Sequence, residues 1–182
     1  APPAVLRVVT QGGELTYLDG TWTAKSDAGH EIAAQVPGDL LTDLQTAGLI
    51  GDPLYELNFK NASLWNERTW TFSTTFATPA FADADDELLL VFDGIKMGAT
   101  VRVNGAAFAV AADQFRRYHG AVRALLLDGA PNTLEVAFDP SVAVGGRFMA
   151  CTGGWDWAPY STTREGQNAS LAHTFSKGIW KS

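Results

Sequence analysis

Two indoles bracket a carboxylate at Trp155-Asp156-Trp157, with Gly153-Gly154 before them and Ala158-Pro159 after. Glycine ahead and proline behind restrict such a tip to a stiff turn. An indole face covers the apolar C–H patch of a pyranose, and a carboxylate accepts hydrogen bonds from two neighbouring hydroxyls. Those are the requirements of a sugar subsite. The same residues also fit a plainer arrangement, with both indoles in the core and Asp156 capping a turn.

Cleaving a glycoside needs more: a pair of carboxylates roughly 5 to 10 Å apart. The other acids are poorly set for that work. Asp83, Asp85, Asp86 and Glu87 form a charge run of the kind that faces solvent. Asp19, Asp93 and Asp128 each precede glycine and read as turn residues. His30, His119 and His173 lack metal-ligand spacing, and the single cysteine, Cys151, reads as a small buried hydrophobe. No nucleophile elbow or phosphate-binding glycine pattern is present. No catalytic residue is therefore assigned on this chain, and no metal or cofactor is expected.

Bulk properties narrow the partners. Only 13 lysines and arginines stand in 182 residues of net charge −7, which argues against nucleic acid and anionic membrane surfaces. No apolar run approaches the ~20 residues of a membrane helix. A content of 46% apolar residues, with six Trp and ten Phe, suffices for one sizeable core. Asn61 and Asn168 each head a glycosylation sequon, which points toward a glycoprotein on a secretory or lysosomal route and leaves a cytoplasmic location open.

The elements that must carry the tip read mostly as short strands. Leu15–Leu18 and Thr21–Ala24 flank Asp19-Gly20, a hairpin dipeptide, and Ile32–Val36 follows. From Asp39 to Gly48 the period becomes helical: Leu40, Leu41, Leu44 and Ala47 share a face, Asp39 suits the N-cap and Gly48 the left-handed terminus. Leu49–Glu67 reads as a long ordered loop packed by Tyr55, Phe59 and Trp65. Strands are then expected at Trp70–Phe76, Glu87–Phe92, Ala99–Val103, Ala106–Ala111, Ala121–Leu127 and Thr133–Phe138, with a tight hairpin at Asn104-Gly105. Such spacing predicts an all-β fold, an antiparallel jelly-roll β-sandwich with one short helix, in a single domain over 1–182.

Beyond these periodicities, the chain resembles the family-2 glycoside hydrolases, and among them the β-mannosidases. Gly154-Trp155-Asp156-Trp157-Ala158-Pro159 is similar to the family's Gly-Trp-Asp-Trp-Gly-Pro loop, and Gly178-Ile179-Trp180-Lys181 to its Gly-Ile-Trp-Arg/Lys segment. Val36-Pro37-Gly38, Thr42-Asp43-Leu44, Ala47-Gly48-Leu49-Ile50 and Asp52-Pro53-Leu54-Tyr55 follow its order as well. Further similarities lie at Trp70–Phe76, Phe92-Asp93-Gly94, Val103-Asn104-Gly105 and Gln114-Phe115-Arg116. Ala158 stands where the family has glycine, and the stretch from Pro159 to Gly178 is longer than the family's.

The resemblance implies a galactose-binding-like domain, followed beyond residue 182 by immunoglobulin-like domains and a TIM barrel holding the catalytic glutamates. It implies that the loop reaches that barrel and completes the −1 subsite of an exo-acting, retaining β-mannosidase. Asp156 would hold the O4 and O6 hydroxyls of a terminal β-mannoside, and Trp155 and Trp157 would wall the pocket. The chain is then expected to be a fragment, or a processed chain bound to its remainder. Three alternatives stay open: a stand-alone carbohydrate-binding module, a structural sandwich, and the same domain from a family-2 glycosidase of other specificity.

Overall fold

The computed structural model describes residues 15–52, 55–56, 58, 64, 68–79, 87–96, 98–139 and 177–181, and the backbone of 5–9. Two antiparallel sheets face each other. The smaller contains β1 (Val5–Val9), β2 (Leu15–Tyr17), β6 (Glu87–Phe92) and β10 (Tyr118–Ala121), in the order β10-β6-β1-β2. The larger contains β3 (Gly20–Ser26), β4 (Glu31–Val36), β5 (Trp70–Phe76), β8 (Ala99–Val103), β9 (Ala106–Ala111) and β11 (Asn132–Phe138), in the order β4-β3-β5-β11-β8-β9. A two-stranded ribbon joins β7 (Gly94–Ile95) to β12 (Ile179–Lys181).

Alternation dictates which face each strand buries. Along β11, Asn132, Leu134, Val136 and Phe138 point inward, and along β5, Trp70, Phe72 and Phe76 do the same. Register sets Phe138 opposite Trp70 and Val136 opposite Phe72. Phe72 and Phe138 then meet edge to face at 5.2 Å between centroids. From the opposite sheet, β6 supplies Leu88, Leu90 and Phe92 to the same core. The six residues of β6, a continuous apolar run in the sequence, lie between β10 and β1 as a central strand should.

The short helix α1 (Leu40–Thr46) begins where its cap predicts: Asp39 Oδ1 accepts the Leu41 N–H at 2.9 Å. Gly48 closes it at φ +70°. Leu40, Leu41 and Leu44 are buried as expected, but Ala47 is exposed, and Asp43 takes the fourth inward position.

Three expectations need correction. Asp19-Gly20 does not form a hairpin: β2 pairs with β1 and β3 with β4 and β5, so the dipeptide is a corner between the two sheets. Gly20 takes φ +128°, which is accessible to glycine and lets the chain change layers within one residue. The strand expected over Ala121–Leu127 ends at Ala121 and gives way to a 3-10 turn at Arg123–Leu125. Two side-chain amides cause this, Asn132 buried and Asn104 half-buried. Asn104 Nδ2 donates to Leu125 O at 2.7 Å, and Asn132 Oδ1 accepts the Leu127 N–H at 2.7 Å, so the ladder loses both groups to side chains. Finally, Tyr55 is 60% exposed rather than packed beneath its loop, while Phe59 and Trp65 lie outside the described residues.

Candidate functional site

The expected site residues Trp155, Asp156 and Trp157 lie outside the described residues, as do Cys151 and the sequon asparagines Asn61 and Asn168. What the structure fixes is the base from which residues 140–176 leave and to which they return. Inward alternation carries β11 to Phe138, and the next residue, Asp139, donates its N–H to Gly98 O at 2.8 Å. On the return, Gly178 O accepts the Lys96 N–H at 2.9 Å. Both ends are thus pinned to one short stretch, 96–98.

The return limb is stitched on its other side too. Gly38 donates its N–H to Ile179 O at 2.9 Å, and Leu40 to Lys177 O at 2.7 Å. Residues 177–179 therefore thread between the cap of α1 and β7, with Ile179 fully buried. Such close threading needs residues without side chains. A Cβ on Gly178 would stand 2.4 Å from Gly38 O, and one on Gly94 would stand 2.8 Å from Lys181 Cβ and Trp180 Nε1.

Charge reinforces the base. Lys96 Nζ bonds Asp39 Oδ2 at 3.1 Å, with the lysine side chain only 7% exposed. Asp39 thereby serves two elements, capping α1 through one oxygen and holding β7 through the other. Lys177 is buried beside it along the return limb. Burial lowers its pKa from 10.5 to about 8, against the opposing pull of Asp27 and Asp139. Asp139, at the departure point of the 140–176 stretch, is one of the two carboxylates that favour the lysine's charge.

Sequence reasoning identified Asp39 as a cap but missed Lys96 and Lys177. Their partners lie far away in the chain (Lys96 and Asp39 are 57 residues apart), and no local period marks such a pair. Asp43 was also missed as a site of interest. It is 5% exposed, its Oδ1 accepts the Gln35 N–H at 3.2 Å, and its Oδ2 has no hydrogen-bond partner.

Chemically, this arrangement holds residues 139 and 177–179 in place, and the described residues offer little else. Among them no three His, Cys, Asp or Glu side chains gather as a metal site would require. A depression of about 470 Å³ between Thr75–Thr78 and Gly129–Pro131 has no ionisable side chain in its lining.

Comparison with known proteins agrees with this architecture. Residues 22–147 match the family described as glycosyl hydrolase 2 galactose-binding domain-like. Beta-mannosidase A of Emericella nidulans is 29% identical over 175 residues, covering 81% of this chain and 18% of that protein. The beta-mannosidase of Rattus norvegicus is 31% identical over 126 residues, covering 69% of this chain and 14% of the relative. This chain therefore spans less than a fifth of either relative. The crystal structure of beta-D-mannosidase from Dictyoglomus thermophilum superposes with a TM-score of 0.66 at 24% identity, over 90% of this chain and 21% of that one. An FMN-binding beta-glucuronidase from Faecalibacterium prausnitzii L2-6 shares the fold with a TM-score of 0.55 at 18% identity, over 89% of this chain and 20% of that one. With most of its length matched, its described sheets antiparallel and α1 short, the chain belongs to the galactose-binding-like domain family of the glycosyl hydrolase 2 proteins.

Proposed function

We propose that this chain is the accessory N-terminal domain of an exo-acting, retaining β-mannosidase. In this reading it contributes Trp155, Asp156 and Trp157 to the subsite that grips a terminal β-mannoside. The glutamates that cleave the bond are supplied by a TIM barrel on the same polypeptide, beyond immunoglobulin-like domains. The observation that carries the reading is the doubly pinned base of residues 140–176: a loop that must meet a catalytic partner needs a fixed root, and Asp139 and Gly178 provide one on 96–98. The named beta-mannosidases among the relatives supply the choice of sugar. We further propose a secretory or lysosomal route, with glycans at Asn61 and Asn168; treatment with an endoglycosidase should then lower the mass of the natural protein.

The test is Asp156→Ala in the full-length enzyme. Removing a charged acceptor from two sugar hydroxyls should cost about 3 kcal/mol of transition-state stabilisation, roughly a hundredfold in kcat/KM. The assay uses aryl β-mannoside beside the glucuronide, galactoside and glucosaminide. Undiminished turnover of the mannoside by the variant would remove the loop from the subsite. Preference of the wild type for another glycoside would reassign the sugar.

A further inference from the structure

Beside the loop base, the described surface carries an aromatic notch. Phe115 and Trp180 are 60% and 39% exposed, and their rings meet edge to face with centroids 6.4 Å apart and planes at 83°. Neither ring hangs on a slack segment. Tyr118 Oη accepts the N–H groups of Ala112 and Asp113 at 3.0 and 2.9 Å and donates to Asp113 O at 3.0 Å. Asp113 Oδ1 accepts the Phe115 N–H at 2.9 Å, and Trp180 Nε1 donates to Gln114 O at 3.3 Å. The turn that exposes Phe115 is thus braced from three sides.

A braced, exposed aromatic has already given up the conformational freedom that binding would otherwise remove. Beside it, the Arg116 guanidinium lies over the Tyr118 ring, 5.8 Å from its centroid, and Arg117 pairs with Asp93. Two adjacent arginines form a cationic rim on a chain whose net charge is −7. Aromatic rings edged by arginine are the composition of protein interface centres. Rings at right angles leave a notch for a projecting side chain, whereas a pyranose stacks on a flat face. A protein surface fits this notch better than a sugar does.

We infer that Phe115, Trp180 and Arg116 form the seat of a neighbouring domain of the same polypeptide, one that presents an apolar side chain within an acidic rim. This inference rests on the reading of the chain as one domain of a longer glycosidase. Most of the length of the matched relatives lies outside the region shared with this chain, and Trp180 belongs to β12, at the last described residues. A polypeptide of the relatives' length has further domains to supply such an occupant.

Hydroxyl-radical footprinting of the full-length protein tests this, with rates corrected for the intrinsic reactivity of each ring. Tyr55, also 60% exposed, is the internal reference. Phe115 and Trp180 should be oxidised several-fold more slowly than Tyr55, and Arg116→Glu with Phe115→Asp should return Trp180 to the reference rate. Equal rates in the wild type would overturn the inference. So would protection that survives proteolytic removal of the downstream polypeptide, which would assign the cover to residues 140–176. Protection that varies with protein concentration would assign it to a second copy and overturn it equally. A β-mannoside assay on the same sample separates the two readings. A protected notch on a protein that cleaves no β-mannoside sinks the enzymatic assignment alone, and an unprotected notch on an active enzyme sinks the docking alone.

Discussion

Asp43 stores a proton where the fold has little use for its charge. Burial is the main cause of a carboxyl pKa raised from 3.8 to about 6; the Gln35 N–H opposes the shift and the Asp39 charge adds to it. The folded chain thus holds this proton more tightly than the unfolded chain does. The resulting stabilisation is fully present below pH 3.8 and is lost as the pH rises through about 6. Across that window the loss amounts to about 3 kcal/mol for this group. Asp43→Asn keeps the shape and discards the charge. Relative to wild type, the variant should gain about 2 kcal/mol of unfolding free energy between pH 4 and 7.5, read from urea midpoints. A difference that is flat with pH would remove Asp43 from the titration. Lys177 has the opposite sign: its lowered pKa means that stability rises as the pH passes from about 8 toward 10.5. The two groups together place a trough between roughly pH 6 and 8.

At the level of elements, close approach matters more than propensity. Gly178→Ala would force a methyl group to within 2.4 Å of Gly38 O, and the nearest atoms are all backbone of Gly38 and Asp39, with no flexible side chain to yield. A loss of about 2 to 3 kcal/mol is expected in chemical denaturation, against less than 1 kcal/mol for Ala→Gly at exposed Ala47. Elements whose signal is local were legible in the sequence. Trp70–Phe76 announced itself by alternation, the Asn104-Gly105 hairpin by its dipeptide, and α1 by Asp39 and Gly48, which show the expected cap bond and positive φ. Asn104 and Gly105 take φ +50° and +80°, as a two-residue hairpin turn demands. Features set by distant partners were not legible. The break after Ala121 depends on Asn104 in the β8–β9 turn and Asn132 at the start of β11, and the corner at Gly20 depends on which sheet receives β3. Nothing within a few residues of either encodes that choice. The Trp155-Asp156-Trp157 reading falls outside the described residues, while Lys96, Lys177 and Gly178, which anchor the ends of the 140–176 stretch, act through folded contacts that no local pattern marks.

Across the whole molecule, the chain closes its fold with its last described residues. β12 pairs with β7, and the same limb bonds the start of α1. A chain ending at residue 176 would strand the N–H groups of Gly38, Leu40 and Lys96 and leave the buried volume of Ile179 empty. A loss of about 4 kcal/mol or more is expected, enough to consume much of a domain's stability. Circular dichroism should show that truncated chain melting broadly or failing to fold, whereas retention of a sharp transition would assign the closing role elsewhere. The placement of both ends of the 140–176 stretch on 96–98 also bears on how such a protein can diversify. On the function proposed above, the stretch would serve as a cassette, and grafting its counterpart from a relative, cut between Asp139 and Lys177, should change sugar preference while the melting transition of the sandwich is kept.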